Sequence, residues 1–431
     1  GLVMEVTRIA RLSDGGHKES AAAQFSADNE TEEKVVNVYN ATRQKILGFG
    51  GAFTDSAAYN YSLLSPEEKQ KTLELLFGKT GLKYNFCRIP MASSDFSLYM
   101  YDNVKDGGRQ FDITEDEKYK IPFISDALRY TDGKMTFFAS PWSPPAFMKD
   151  NGDRLHGGSL MEKYYGDWAD AFCAFIRGYE RHSIKISAVT LQNEPHAVQT
   201  WESCVFDAEQ ETRFARVLKE KFKIEGIDAA VLVWDHNKER LFERAEYAFE
   251  NSDVGGAAFH WYSGEHFDAM EVLRDMYPEK LIIESEFCSG MSRPIGNYTS
   301  EAIGNLSHGA NAITEWNLML NDEGGPYHDR KSGCLAPVLL DRSSGKVTTT
   351  RVYDEMYMVS HFCGSDGTAM RTSSYDSRIS VFACRRTDGK IAVCLKNNAD
   401  ENLSVNLRVF GKHVFSLLLE EQEAATLIVE E

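Results

Sequence analysis

Two short segments hold carboxylates in settings suited to proton transfer and nucleophilic attack. They are Leu191-Gln192-Asn193-Glu194-Pro195 and Glu284-Ser285-Glu286-Phe287-Cys288. Cleaving a glycosidic bond needs a protonated carboxyl for the leaving oxygen and an ionised carboxylate for the anomeric carbon. Glu194 and Glu286 suit those tasks if the fold brings them together. Asp55, Arg88, Trp142, Asp235, His260, Tyr262 and Trp316 accompany them. Rings of this kind cover the apolar C–H face of a sugar, while carboxylates, amides and indole N–H groups read its hydroxyls. Asn193 can hydrogen-bond a 2-hydroxyl, a contact that strengthens in an oxocarbenium-like transition state. Arg88 can pair with Glu286 and keep it charged, while burial sets the acidity of Glu194.

Each residue also has a plainer role. Asn-Glu-Pro is a common loop tripeptide, and Glu286 can simply ion-pair with Arg88 or Lys280. Tryptophans are most often core residues. His260 can be a satisfied strand-end histidine, and Cys288 a small buried thiol with no base beside it. Glu284 lies two residues before Glu286, on the same face of an ideal strand and one layer deeper. It is a second candidate nucleophile, or else a buried acid paired with a base such as Arg88. No His/Asp cluster has metal-ligand spacing, so neither metal nor cofactor is expected.

Position argues for a site. Strand-prone runs fall at residues 46–49, 84–89, 135–139, 187–191, 230–234, 257–260, 281–283 and 312–315, with helical stretches between many of them. Eight such units predict a (β/α)8 TIM barrel, in which function gathers where strands end at the C-terminal face. The residues above all fall at those ends, and strands four and seven face each other across the mouth. A doubly wound sheet would carry a phosphate-binding glycine loop, which Gly48-Phe49-Gly50-Gly51 does not match. Ser65-Pro66-Glu67-Glu68 marks a helix start with a capping-box glutamate, and Gly78 its stop. Near the C-terminus the pattern becomes period two: Leu403, Val405, Leu407 and Val409 share one face. Asp388-Gly389 predicts a hairpin between 379–384 and 391–395. Runs 4–9 and 34–39 are also strand-prone. We therefore expect an antiparallel β-sandwich built from both termini (residues 1–42 and 366–431) around a barrel of residues 43–365.

The chain has 431 residues, 42% of them apolar and 26% charged, which excludes disorder. Its 47 basic and 65 acidic side chains leave a net charge of −18. That field repels phosphate backbones and anionic headgroups, so nucleic acid is not an expected partner and a neutral small molecule is. No apolar run reaches the roughly 18 residues that cross a bilayer, so no stable membrane insertion is expected. The N-terminal run lacks a signal-peptide profile, and the eight cysteines form no Cys-x-x-Cys pair. Both features point to reduced thiols and a cytoplasmic location; the chain opens on Gly rather than Met, which leaves room for a removed upstream segment. Nothing in the pattern bears on oligomeric state.

At these residues the sequence resembles glycoside hydrolase family 30, in particular its glucosylceramidase-like branch. The matching segments are GFGGAFTDSAA (48–58), YNFCRIPMASSDFS (84–97), FFASPWSPPAFMKDNG (137–152), LQNEP (191–195), FHWY (259–262), ESEFCSG (284–290) and EWNLMLNDEGGP (315–326). The resemblance implies a retaining β-glycosidase acting by double displacement on a glycoside or glycolipid, most like a β-glucosidase or glucosylceramidase. Glu194 matches the acid/base. Glu286, two residues before Cys288, matches the nucleophile, which sets Glu284 aside. Asp55, Trp142, Asn193 and Trp316 match sugar-contacting positions, and Arg88, Asp235, His260 and Tyr262 match supporting and rim positions. Where glucosylceramidases have an asparagine after Glu-Gly-Gly-Pro, this chain has Tyr327. That departure leaves β-xylosides, β-fucosides and β-1,6-glucans as alternatives at the C6 side of the sugar. A carbohydrate-binding homologue without hydrolysis, or a transglycosidase, are the other readings.

Overall fold

The structure is a computed structural model describing residues 4–21, 33–290, 297–329, 331 and 333–431. Eight parallel strands close into a barrel: β1 (Gly48–Ala52), β2 (Phe86–Met91), β3 (Thr136–Pro141), β4 (Ile186–Thr190), β5 (Ala230–Asn237), β6 (Gly256–His260), β7 (Leu281–Glu286) and β8 (Ala312–Asn317). Several run past their predicted ends, because the strand continues into the polar residues that form the site. Gly50 lets β1 and β2 close the barrel; a Cβ there would stand 1.7 Å from the Phe86 carbonyl oxygen. The glycine run therefore serves close strand packing.

Alternation along the strands fills the barrel in layers. The lower layer is an apolar plug of Phe86, Phe138, Ala188, Leu232, Ala258, Ile283 and Ala312. Two residues further along (three in β5, which bulges), the inward positions turn polar: Arg88, Ser140, Thr190, Asp235, His260 and Ser285, all buried. Register shifts at the C-terminal ends of β5, β6–β7 and β8 break the alternation where the site begins.

The termini supply a nine-stranded sheet, in the order Gly16–Ala21, Glu5–Ser13, Ala424–Glu430, Ile391–Asn397, Ile379–Arg385, Thr368–Ser374, Val35–Lys45, Leu403–Val409 and Lys412–Leu419. Among the described residues its pairings are antiparallel except Val35–Lys45 against Leu403–Val409. The sheet folds over on itself, since Arg11 near one edge donates to the Leu418 carbonyl at the other. It thereby encloses a second core that includes Val36, Val393 and Leu407. Leu403, Val405, Leu407 and Val409 are buried as expected, and Gly389 turns the predicted hairpin at φ 86°.

The helix Pro66–Phe77 begins as predicted, with Ser65 Oγ accepting from Glu68 N at 3.2 Å. The capping box is not completed. Glu68 Oε2 instead accepts from Val347 N at 2.9 Å, in a small sheet of Met319–Asn321, Val338–Asp341 and Lys346–Thr349 that the sequence pattern did not announce. Gly78 ends the helix in an extended conformation. No helix among the described residues is long and apolar enough to cross a membrane.

The plug makes a testable claim. Phe138→Ala should lower stability by about 3–5 kcal/mol, read as a lower urea midpoint at unchanged m value. A loss below about 1 kcal/mol would mean that the barrel interior is not packed as described.

Candidate active site

The polar layer is organised by Arg88, which is fully buried. Its Nε donates to Ser140 Oγ (3.0 Å), Nη1 to Glu286 Oε1 (2.9 Å), and Nη2 to Asn193 Oδ1 and Asp235 Oδ2 (2.9 Å each). The guanidinium also lies 4.6 Å from the centroid of the Trp142 ring. Asp235 receives Arg88 and Thr190 on Oδ2, and pairs with His260 Nε2 (2.8 Å) and Ser285 Oγ (2.5 Å) on Oδ1. Burial alone would raise its pKa, but Arg88, His260 and Ser285 outweigh that and hold it far below the usual carboxylate range.

Backbone irregularities aim these groups. In β5, Trp234 and Asp235 have φ of 75° and 58°, and the register shifts between Trp234 and His236. Trp234 turns out toward the helices while Asp235 turns in. In β7, Phe259 pairs with Glu284 but His260 with Glu286, so Ser285 is the extra residue of a bulge. The bulge overturns the expectation that Glu284 and Glu286 share a face. Ser285 points at Asp235, and Glu286 enters the site. Glu284 is buried beside Lys238 and Glu301; burial and Glu301 hold its carboxyl well above the usual range. It does not pair with Arg88.

Glu194, with φ 48°, is held by its N–H to the Asp235 carbonyl at 3.0 Å. One of its carboxylate oxygens lies within 4.8 Å of one of Glu286. His260 stands between the acids, with Nδ1 2.8 Å from Glu194 Oε2 and 3.9 Å from Glu286 Oε2. Tyr262 OH donates to Glu286 Oε2 at 2.8 Å. Burial opposes charge on His260, but Glu286, Asp235 and Glu194 outweigh it and lift its pKa to about 9. Burial would likewise raise Glu194, yet the hydrogen bond and charge of His260 bring it below the ordinary value. Glu286 goes the other way: burial and the charge of Glu194 raise it against His260, Arg88 and Tyr262. The two shifts thus run opposite to the expectation that burial raises Glu194 while Arg88 keeps Glu286 low, because an imidazolium faces Glu194. Both ring nitrogens of His260 are engaged, Nδ1 by Glu194 and Nε2 by Asp235.

Trp142 and Trp316 stack at 5.2 Å, and Tyr327 packs against their cluster. Asn193 uses its oxygen on Arg88, leaving its NH2 for a ligand. Asp55 also has partners within the protein. Its carboxylate takes Ser97 Oγ (2.7 Å) and Tyr101 OH (2.9 Å), with Lys120 at 3.9 Å, and so fastens the 93–101 loop. Asp95 in that loop is the acid the sequence reading passed over. It is half-buried, and burial with the charge of Glu286 raises its pKa well above the usual range. Its signal was its place four residues beyond the end of β2, within the segment 84–97.

Residues 46–364 match the glycosyl hydrolase family 30 TIM-barrel domain. The chain belongs to family 30. Lysosomal acid glucosylceramidase of Mus musculus is 30% identical over 403 residues, covering 84% of this chain and 77% of that protein. A Caenorhabditis elegans protein provisionally named glucosylceramidase 3 is 34% identical over 332 residues, 69% of this chain. The chain spans 63% of that relative's length. Among solved structures, SrfJ from Salmonella typhimurium superposes with a TM-score of 0.91 at 31% identity, covering 98% of both chains. The family 30 barrel thus accounts for the eight strands and their layers.

The charge on His260 has a consequence for stability. Its folded pKa of about 9 exceeds the ordinary 6.5, so its contribution is full below about 6.5 and is lost as pH rises through about 9. The Tm difference between wild type and His260→Gln should therefore shrink between about pH 6.5 and pH 10. A difference that does not change over this range would show that the ring is not protonated.

Proposed function

We propose that this chain is a retaining β-glycoside hydrolase, with Glu286 as nucleophile and Glu194 as acid/base. The observation that carries the reading is the separation of the two carboxylates, with oxygens within 4.8 Å of each other. Retaining enzymes keep their carboxyl groups about 5–5.5 Å apart, whereas inverting ones leave about 6.5–9.5 Å for a water.

In the first step Glu286 attacks the anomeric carbon while Glu194 protonates the departing oxygen. In the second, Glu194 removes a proton from water, which displaces Glu286 and releases the sugar with retained configuration. The two acids face each other closely enough to titrate as a coupled pair. His260, 2.8 Å from Glu194 and 3.9 Å from Glu286, lies between them. Arg88 and Tyr262 then stabilise the charge on Glu286.

For substrate, we propose a neutral β-glucoside with an apolar aglycone, of the glucosylceramide type. The names of the relatives support this, as do the exposed Tyr99, Met100 and Val198 on the loops after β2 and β4. Trp142 and Trp316 would cover the sugar face, and Asn193 and Asp95 would read its hydroxyls.

Turnover of variants, covalent labelling and a substrate panel test the reading. Glu286→Gln should abolish turnover of an aryl β-glycoside, and a 2-fluoro glycoside should leave one covalent sugar on Glu286 of the wild type. Glu194→Gln should lose about 10²–10⁴-fold in turnover of substrates with poor leaving groups. Normal turnover by Glu286→Gln sinks the nucleophile assignment, and absence of labelling with no turnover favours a binding protein. A panel of aryl β-glucoside, xyloside, fucoside and galactoside tests the Tyr327 departure, with glucoside expected to be cleaved fastest.

A further inference from the structure

Beyond the carboxylates, the rim of the cleft holds two cysteines that the proposed hydrolysis does not use. Cys288 follows the end of β7, and Cys334 lies on the segment after the Tyr327 loop. Their sulfurs are 3.1 Å apart. The backbone keeps them adjacent, because Gly290 and Cys334 form an isolated antiparallel bridge and Leu335 N donates to Ser289 O at 2.9 Å. Both residues are partly exposed, unlike the buried Cys363 and Cys394, whose sulfurs are 3.9 Å apart. Neither Cys288 nor Cys334 is bonded as a disulfide.

We propose that Cys288 and Cys334 are a redox-sensitive pair that closes reversibly to a disulfide and, in closing, lowers turnover. With a peroxide as oxidant, one thiolate attacks the O–O bond, giving a sulfenic acid and one water. The second thiol then displaces that oxygen as a second water, forming the S–S bond. Two thiols are oxidised by two electrons and the peroxide is reduced. An external dithiol reverses the step by exchange. Cys288 is held above the ordinary thiol range by Cys334, by burial and by Glu286, so closure is slow at neutral pH.

The link to turnover is geometric. A disulfide sets the sulfurs about 2.05 Å apart, so closure draws them together by roughly 1 Å. Cys288 is two residues from Glu286, and its sulfur lies 3.7 Å from Tyr262 OH, which itself holds Glu286. A displacement of about 1 Å near reacting groups costs up to 10²-fold in rate.

The full chain would be treated with hydrogen peroxide, quenched by alkylation and digested for mass analysis, with turnover followed in parallel. The expected result is one cross-linked peptide pair joining Cys288 to Cys334, a fall in turnover of tenfold or more, and recovery with dithiothreitol. Cys334→Ser should keep its reduced-state turnover and lose the sensitivity. Separate alkylation of both cysteines after oxidation overturns the proposal. So does a bridge that leaves turnover unchanged, or an equal loss in Cys334→Ser. A chain that cleaves no glycoside fails the functional reading instead, while the peptide map still decides whether the pair closes.

Discussion

A buried guanidinium facing a buried carboxylate is the constraint around which the barrel is arranged. Removing two such charges from water costs several kcal/mol per ion, and only well-made hydrogen bonds offset that cost. Arg88 meets the requirement with four acceptors and Asp235 with four donors, each drawn from a different strand or strand end. The strands must therefore stop alternating where the pattern would place the wrong side chain inside. The bulges of β5 and β7 do this, turning Trp234 outward and bringing Asp235 and Glu286 in. The apolar plug below excludes water from the network, which makes its interactions both stronger and less forgiving.

The same network sets the protonation of the acids. His260 is fixed from behind by Asp235 and so presents its other nitrogen to Glu194. Its positive charge is a product of three surrounding carboxyls, and it in turn decides which of the two facing acids is more easily ionised. The site thus behaves as one titrating unit rather than as separate residues with separate pKa values.

Much of this was legible in the sequence. Eight short apolar runs ending in polar residues foretold the barrel, and the strand-end positions of Glu194, Glu286, Asn193, Arg88 and His260 foretold their meeting. What escaped had local causes. A period-two reading extrapolates alternation, so it could not foresee that Ser285 is an extra residue and that Glu284 faces away. It assigned Glu194 its acidity from burial because the contact with His260 is tertiary. Asp55 and Asp95 both follow barrel strands, and only the tertiary partners Ser97, Tyr101 and Lys120 reveal that the first also fastens the 93–101 loop. Glu68 had the right spacing for its cap, but a neighbouring strand offered a better donor.

The strand Val35–Lys45 leads into the barrel, yet it is flanked by Thr368–Ser374 and Leu403–Val409, both made after the barrel is complete. On a ribosome adding about 5–20 residues per second, it would wait tens of seconds for its first neighbour. During that time its unpaired N–H and C=O groups form an open edge able to capture another nascent chain. The segment 368–409 thus protects the strand 35–45 during biogenesis, and a message truncated after the barrel would yield a sticky product even if the barrel itself had closed.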